Sequence, residues 1–149
     1  MNITFHGPSN FNSISRDELF ELRCLTNNSA VDKRDYDDRH IPVNSMFQLL
    51  IDNRLYWNET FKNTYVIRAF FHKRVVGWTL YEFFSYGETR AGFYVHHDHR
   101  RNGIGSMLLS KVKDESNNFF CGRRGRLVVQ PWNAIGDAFF TKNDVSFLR

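Results

Sequence analysis

Cysteine is scarce in this chain, which has only Cys24 and Cys121. Two cysteines permit one disulfide and offer no closely spaced metal-binding pair, so we expect reduced structural thiols and no metal site. No apolar run approaches the roughly 20 residues of a membrane-spanning helix, and the N-terminus lacks the basic-then-apolar pattern of a secretion signal. These absences predict a cytoplasmic protein with no membrane partner.

The residues that are plentiful are those of a packed core. Of the 149 residues, 42% are hydrophobic and 15 are phenylalanine. No repeat, low-complexity tract or linker interrupts the chain, so residues 1–149 are expected to form a single domain. The formal charge of +4 favours a polyanionic partner, which could be a phosphorylated cofactor or a nucleic acid.

Two helices are predicted in the first third of the chain. Ser15 and Glu18 form a capping box, which predicts a helix from Arg16 to about Thr26. A second helix over the apolar residues from Met46 to Ile51 is expected to end before Tyr56. Between the two helices lies a stretch rich in aspartate, residues 32–39, which is either a solvated loop or an acidic lip that attracts a cationic amine.

The next segment has the composition of β-strands. A strand over Thr64 to Phe71, a turn at residues 72–74 and a strand over Val75 to Phe84 predict a β-hairpin, which a third strand over Arg90 to Val95 continues. Both faces of the second strand are largely apolar, which indicates a central strand covered on both sides. One face is expected to carry Val76, Trp78, Leu80, Glu82 and Phe84.

Glu82 is therefore a single carboxylate in an apolar row. If it is buried, its pKa is raised and it could serve as a general base; otherwise it lies at the strand end in solvent. Glu88, in the loop just before the third strand, is a competing candidate for the base.

The third strand leads into a polar loop, a Gly-x-Gly turn and an amphipathic helix from Ile104 to about Asn117. This order presents backbone N–H groups at the positive end of a helix dipole, where phosphate binds. The spacing excludes a P-loop, and Leu108 stands where a dinucleotide fingerprint needs a third glycine. A short strand over Leu127 to Gln130, a helix ending near Lys142 and a strand over Val145 to Leu148 complete a mixed sheet, parallel around this loop.

Residues 100–105, Arg-Arg-Asn-Gly-Ile-Gly, resemble the Arg/Gln-x-x-Gly-x-Gly/Ala signature of the GNAT superfamily of N-acyltransferases, with Val95 at the strand end five residues earlier. The element order, the third-strand segment Val75 to Leu80 and Asn133 after the fifth strand are similar to that family too. The resemblance implies an α/β (α+β) fold with a mostly antiparallel central sheet of six to seven strands and helices on both faces. It also implies a cofactor site for acetyl-CoA formed by Phe93, Tyr94, Val95, Arg100, Arg101, Asn102, Gly103, Ile104, Gly105, Ser106 and Asn133.

One departure from the family concerns catalysis. The family usually has a tyrosine seven residues after the asparagine, which protonates the departing thiolate; this chain has Phe140. The resemblance therefore implies an N-acetyltransferase with reduced or atypical activity, with Glu82 or Glu88 as base. The histidines at positions 96, 97 and 99 are expected to line the mouth of the cofactor cleft.

The acceptor is left open. A protein lysine or N-terminus, a small amine such as a polyamine or an antibiotic, and aminoacyl-tRNA all fit the expected chemistry. The alternative function is a catalytically weak binding module that contacts nucleic acid or a partner protein through the basic turn at residues 123–126 and exposed aromatic side chains. The sequence leaves a homodimer open as well.

Overall fold

The computed structural model describes residues 2–31, 46–100, 102–121, 126–129, 134–143 and 145–147. In chain order the elements are β1 (Thr4–Asn10), α1 (Arg16–Val31), α2 (Met46–Trp57), β2 (Thr64–Phe71), β3 (Arg74–Phe84), β4 (Glu88–Val95), α3 (Ile104–Phe119), β5 (Arg126–Val129), α4 (Ala134–Lys142) and β6 (Ser146–Phe147). The aspartate-rich stretch at residues 32–39 and most of the basic turn at residues 123–126 lie outside the described residues. None of the described helices is both long and apolar enough to span a membrane.

The strands form one mixed sheet in the order β1-β2-β3-β4-β5-β6. The first four pair antiparallel, and β5 and β6 add in parallel. The mixed, mostly antiparallel architecture is therefore as expected. Five of the described strands have four residues or more, which is below the expected six to seven; the sixth, Ser146–Phe147, pairs with β5 over two residues only.

Helices cover both faces of the sheet. On one face, Leu19 and Leu22 of α1 and Ile51 of α2 pack with the sheet residue Trp78, which is fully buried. On the other face, α3 packs over the β3 residue Tyr81 through its apolar stripe, which consists of Ile104, Leu108 and Val112. Complete burial of side chains of this size contributes about 1.5–3 kcal/mol each, so the two apolar layers account for much of the stability.

Strand β3 is central, as its composition predicts, but its alternation is interrupted. The β2–β3 register pairs Ala69 with Gly77 and then Phe70 with Val75, so Val76 is an extra residue on β3. A β-bulge of this kind turns the following side chains over. Val76 consequently packs on the α3 side rather than beside Trp78, which corrects the expected face for this residue.

Both helix predictions are correct in position and too short. The Ser15 hydroxyl accepts from the Glu18 N–H at 3.2 Å, as a cap does, while the Glu18 carboxylate pairs with Arg68 of β2. Helix α2 continues through Tyr56 and Trp57, although these residues were expected to follow its end. Their side chains are 65% and 75% exposed, so they contribute nothing to the apolar periodicity from which the helix is predicted.

Candidate functional site

The N-terminus of α3 presents a row of backbone donors. Its N-cap, Gly103, has φ +79°, a left-handed conformation that glycine adopts without strain. The first intrahelical bond runs from Met107 N to Gly103 O at 3.0 Å. The N–H groups of residues 104–106 precede that bond and have no acceptor within the helix. No acidic side chain lies in the first turn, so the positive end of the helix dipole favours an anion there.

Close packing against the sheet fixes this helix end. A Cβ on Gly77 of β3 would lie 3.1 Å from Ile104 Cγ2 and 3.1 Å from Tyr94 O. Glycine at position 77 therefore lets the first residue of α3 rest directly on the sheet. A Cβ on Gly105 would lie 3.6 Å from the Phe139 ring, which brings α4 alongside the same helix end.

The described pairing of β4 with β3 extends further along β4 than its described pairing with β5. In the described residues the β4–β5 ladder ends at Ala91 and Val129, while the β3–β4 ladder continues to Val95. His96 N donates to Val76 O at 2.7 Å, so the even-numbered residues of β4 are those whose backbone groups bond to β3. Because backbone groups of alternate residues face opposite neighbours, those of Phe93 and Val95 point away from β3, toward the β5 side of the strand.

The other predicted cofactor residues have different environments. Tyr94 turns its backbone to β3 and its side chain into the core, where it is 5% exposed. Arg100 Nε donates to Val95 O at 2.9 Å, and Asn102 Nδ2 donates to His99 O at 3.3 Å, so both residues brace the loop. Ser106 is exposed on the first turn of α3. Arg101 and Asn133 lie outside the described residues.

These features fit a nucleotide-linked pantetheine. The donors of residues 104–106 suit a diphosphate, and a Cβ on Gly103 would meet no described atom within 4 Å. The backbone groups of Phe93, which point away from β3, suit an extended arm that carries amide groups, because strand backbone pairs with such a chain as it would with another strand.

Phe140 lies beside this edge. Its ring is 6% exposed and packs in a cluster with Leu109 of α3 and Val129 of β5. Position 140, where the resemblance to the family implies a tyrosine, is therefore buried in this cluster and has no hydroxyl to offer.

Glu82 is half-buried on the face that α1 and α2 cover. Burial raises its pKa above the ordinary value, although a hydrogen bond from Thr64 and the charge of Arg90 both oppose the increase. The Thr64 bond is long, at 3.4 Å, and the same hydroxyl lies 3.2 Å from Lys62 O. The sequence makes Glu82 a candidate base if it is buried with a raised pKa, and the structure shows it half-buried with a raised pKa.

Glu88 occupies a different environment. It is the first residue of β4, not a loop residue as expected, and it pairs with Phe84 of β3. Its Oε2 accepts from Arg90 Nε at 2.7 Å and from the Tyr86 hydroxyl at 3.1 Å. Burial alone would raise its pKa, but these two bonds and the charges of Arg90 and Arg126 lower it below the ordinary value.

Arg90 and Tyr86 are not singled out by the sequence patterns. Residues 88 and 90 are two apart on one strand and so share a face, which is the available signal. The predicted strand begins only at Arg90, and that boundary conceals the pair.

The histidine loop supports no metal assignment. His96 Nδ1 accepts from Asp98 N at 3.2 Å, and the His99 ring lies 5.3 Å from the ring of Phe71. Across the described part of the chain, no three His, Cys, Asp or Glu side chains converge as metal ligands would.

The chain resembles one family throughout. A model of the "Acetyltransferase (GNAT) family" matches residues 19–144. None of the curated proteins compared with the chain matches it.

Solved structures with low sequence identity share the fold. One is a predicted acetyltransferase from Clostridium acetobutylicum with acetyl-CoA, at 12% identity and a TM-score of 0.62, with 95% of this chain and 88% of that chain covered. Another is the PaiA N-acetyltransferase from Thermoplasma acidophilum in complex with coenzyme A, at 15% identity, a TM-score of 0.62 and coverages of 96% and 89%. A third is an N-acetyltransferase from Staphylococcus aureus Mu50, at 14% identity, a TM-score of 0.61 and coverages of 97% and 83%.

Proposed function

Because the chain belongs to the GNAT family of acetyltransferases, we propose that it transfers the acetyl group of acetyl-CoA to a primary amine. The observation that carries the proposal is the N-terminus of α3, where Gly103 is left-handed, the N–H groups of residues 104–106 have no acceptor within the helix, and no acidic side chain lies in the first turn. The strand before this helix end turns the backbone of Phe93 away from β3, where we propose that the pantetheine arm binds.

Acetyl-CoA supplies an activated thioester. The chain binds the diphosphate with the N–H groups of residues 104–106 and binds the arm along Phe93 and Val95. The Phe93 N–H points away from β3, and a backbone donor there would stabilise negative charge that develops on the thioester carbonyl oxygen. A backbone donor held in a sheet is already oriented, so its contribution needs no rearrangement.

The acceptor must lose a proton before it attacks. An amine with a pKa near 10.4 is neutral in only about one molecule in 2,500 at pH 7. We assign the base to Glu82, because its carboxylate is half-buried and has a raised pKa, whereas Arg90 and Tyr86 already occupy Glu88. Glu82 lies opposite Arg90 in the β3–β4 register, and Gly92 is the diagonal neighbour of Glu82 at about 7–8 Å. A short water chain can carry a proton over that distance, from an amine bound near Gly92 to the Glu82 carboxylate.

The overall step balances without a further reactant. The amine nitrogen forms a bond to the acetyl carbon and the carbon–sulfur bond breaks. Of the two protons that the ammonium group loses in becoming an amide, one passes to Glu82 and the other passes through water to the departing thiolate. The thiol has a pKa near 8.5, so its thiolate is a fair leaving group even though Phe140 cannot protonate it. Water takes the role of acid, and we expect slow turnover as a result.

The alternative function is a binding module with little catalysis, which the hydroxyl-free Phe140 favours. The proposed acetyl-CoA site argues against it, because a protein that only binds nucleic acid or another protein has no need for a site that holds pantetheine and a diphosphate. The acceptor class, a homodimer and a cytoplasmic location remain proposals that follow from the sequence.

The test is a paired titration. Calorimetry with acetyl-CoA and with a mixed-sequence DNA or RNA, each at two salt concentrations, measures the donor and the polyanion under the same conditions. Saturable acetyl-CoA binding together with thiol release from a panel of amines is the expected result. Undetectable acetyl-CoA binding at millimolar concentration with tight, steeply salt-dependent nucleic-acid binding would overturn the proposal. Mass spectrometry of a cell extract supplied with labelled acetyl-CoA would identify the acceptor.

A further inference from the structure

The cross-strand pair Glu82 and Arg90 is unusual because it is not an ion pair. The two residues are directly opposite in the β3–β4 register, on the face that α1 and α2 cover. Side chains in that relation have Cβ atoms about 4.5–5.5 Å apart, and opposite charges there ordinarily attract. Arg90 instead pairs with Glu88 of its own strand, through Nε at 2.7 Å.

Two further contacts hold the guanidinium in that position. Arg90 Nη2 donates to the Tyr86 hydroxyl at 3.3 Å, and that hydroxyl in turn donates to Glu88 Oε2. The guanidinium carbon lies 4.8 Å from the centroid of the Phe84 ring. The cation therefore has a carboxylate, a hydroxyl and an aromatic face as partners.

We propose that Glu88 and Tyr86 are positioning residues that hold Arg90 off Glu82 and so keep the Glu82 carboxylate available for proton transfer. The inference rests on the proposed function, in which Glu82 is the base. A released Arg90 would form a charge-assisted pair with the carboxylate opposite it, which occupies the oxygens that must accept a proton. Such a partner typically lowers a carboxylate pKa by about 1–3 and weakens it as a base.

Among the described residues, the charged and polar groups that face Glu82 come from β2 and β4. Thr64 of β2 and Arg90 of β4 are directly opposite Glu82 in the two ladders, and Glu88 of β4 is its diagonal neighbour. Arg126 of β5 is in register with Glu88, so its charge acts on Glu88 rather than on Glu82. Within the described part of the chain, Arg90 is thus the cation whose position decides the state of Glu82.

The kinetic test uses E88Q, Y86F and the double variant E88Q/R90M. We expect E88Q to lower kcat about tenfold and to move the acidic limb of the pH profile to lower pH by about one unit. The double variant E88Q/R90M has no cation at position 90, so its kcat and the acidic limb of its pH profile should return toward the wild-type values. Y86F gives a smaller effect of the same sign, and because Tyr86 is 65% exposed its loss disturbs folding little. E59Q, which neutralises an exposed glutamate before β2, is the matched control and changes neither quantity.

A measurement without substrate separates this inference from the proposed function. NMR titration of ¹³C-labelled glutamate side chains gives the Glu82 pKa in the wild type, E88Q and E88Q/R90M, with E82Q to assign the signal. A lower pKa in E88Q that recovers in E88Q/R90M supports the positioning role even if no acceptor is turned over. An unchanged pKa in E88Q overturns it. If E82Q retains full activity, the assignment of the base fails instead.

Discussion

The ring of Phe140 lies 5.5 Å from the ring of Phe93, centroid to centroid, at an interplanar angle of 52°. Helix α4 thus packs on the strand to which we assign the pantetheine arm. The contact accounts for the burial of Phe140 and shows that this side chain has a structural role.

Phe140→Tyr should restore a general acid. We expect kcat to rise about tenfold to a hundredfold, the lower part of what proton transfer by a side chain contributes, with little change in KM for acetyl-CoA. The added hydroxyl is buried, so the free energy of unfolding should fall by about 1–3 kcal/mol if it finds no partner in the free protein. Steady-state kinetics and urea unfolding measure the two effects. Phe139→Tyr, the same change on the adjacent residue, is the control; an equal gain there would contradict the assignment.

Gly103→Asp should abolish high-affinity acetyl-CoA binding, whereas Gly103→Asn should weaken it far less. Both residues tolerate the left-handed conformation better than other side chains do, and they differ mainly in charge. The aspartate carboxylate would occupy the positive end of α3 in place of a phosphate. Calorimetry at low salt should show at least a tenfold difference in Kd between the variants. Equal affinities would mean that the diphosphate binds elsewhere.

Gly77→Ala should displace the start of α3. The new methyl group would press on Ile104 Cγ2 and on the Tyr94 carbonyl, and overpacking of this kind costs about 1–3 kcal/mol of unfolding free energy. Affinity for acetyl-CoA should fall too, because the donors of the first turn move with Ile104. In G77A/I104A the side-chain part of the clash is absent, so the double variant should bind more tightly than G77A. Strict additivity of the two changes would exclude a direct contact.

Glu82→Gln should remove a specific pH dependence. The pKa of Glu82 is raised above 4.5, so the folded state holds the proton more tightly than the unfolded chain does. Between pH 4.5 and the higher folded value, the free energy of unfolding of the wild type therefore falls as pH rises. E82Q lacks that fall, and it should lose about a hundredfold or more in kcat at neutral pH. Unfolding curves of both proteins across this range provide the test; parallel curves would place Glu82 in solvent.

Much of the fold follows from local patterns in the sequence. The hairpin, the central strand and the start of α3 are predictable because alternation, turn residues and a glycine before an apolar stripe are local signals. The turn at His72 and Lys73 has positive φ at both residues, as a two-residue hairpin requires. Helix ends are less accurate, since Tyr56 and Trp57 continue α2 without adding to its buried face.

The bulge at Val76 lies beyond such reasoning. One extra residue on β3 reverses the side-chain faces on either side of it, and no residue in Val75-Val76-Gly77 announces it. The same holds for the Arg90 pair, because the sequence offers Glu82 and Glu88 as competing candidate bases and does not single out Arg90. Only the fold decides between a cross-strand neighbour and a neighbour two residues away on the same strand.

By itself, the sequence determined the helix start that we propose binds phosphate: a left-handed glycine followed by an amphipathic helix depends on backbone conformation within a few residues. The tertiary structure decided which groups surround it. Pairing with β3 turns the Phe93 backbone away from that strand, Gly77 lets Ile104 pack on the sheet, and the position of Arg90 distinguishes Glu82 from Glu88. Each of these depends on contacts between residues distant in the chain, where packing and burial, rather than local preference, fix the outcome.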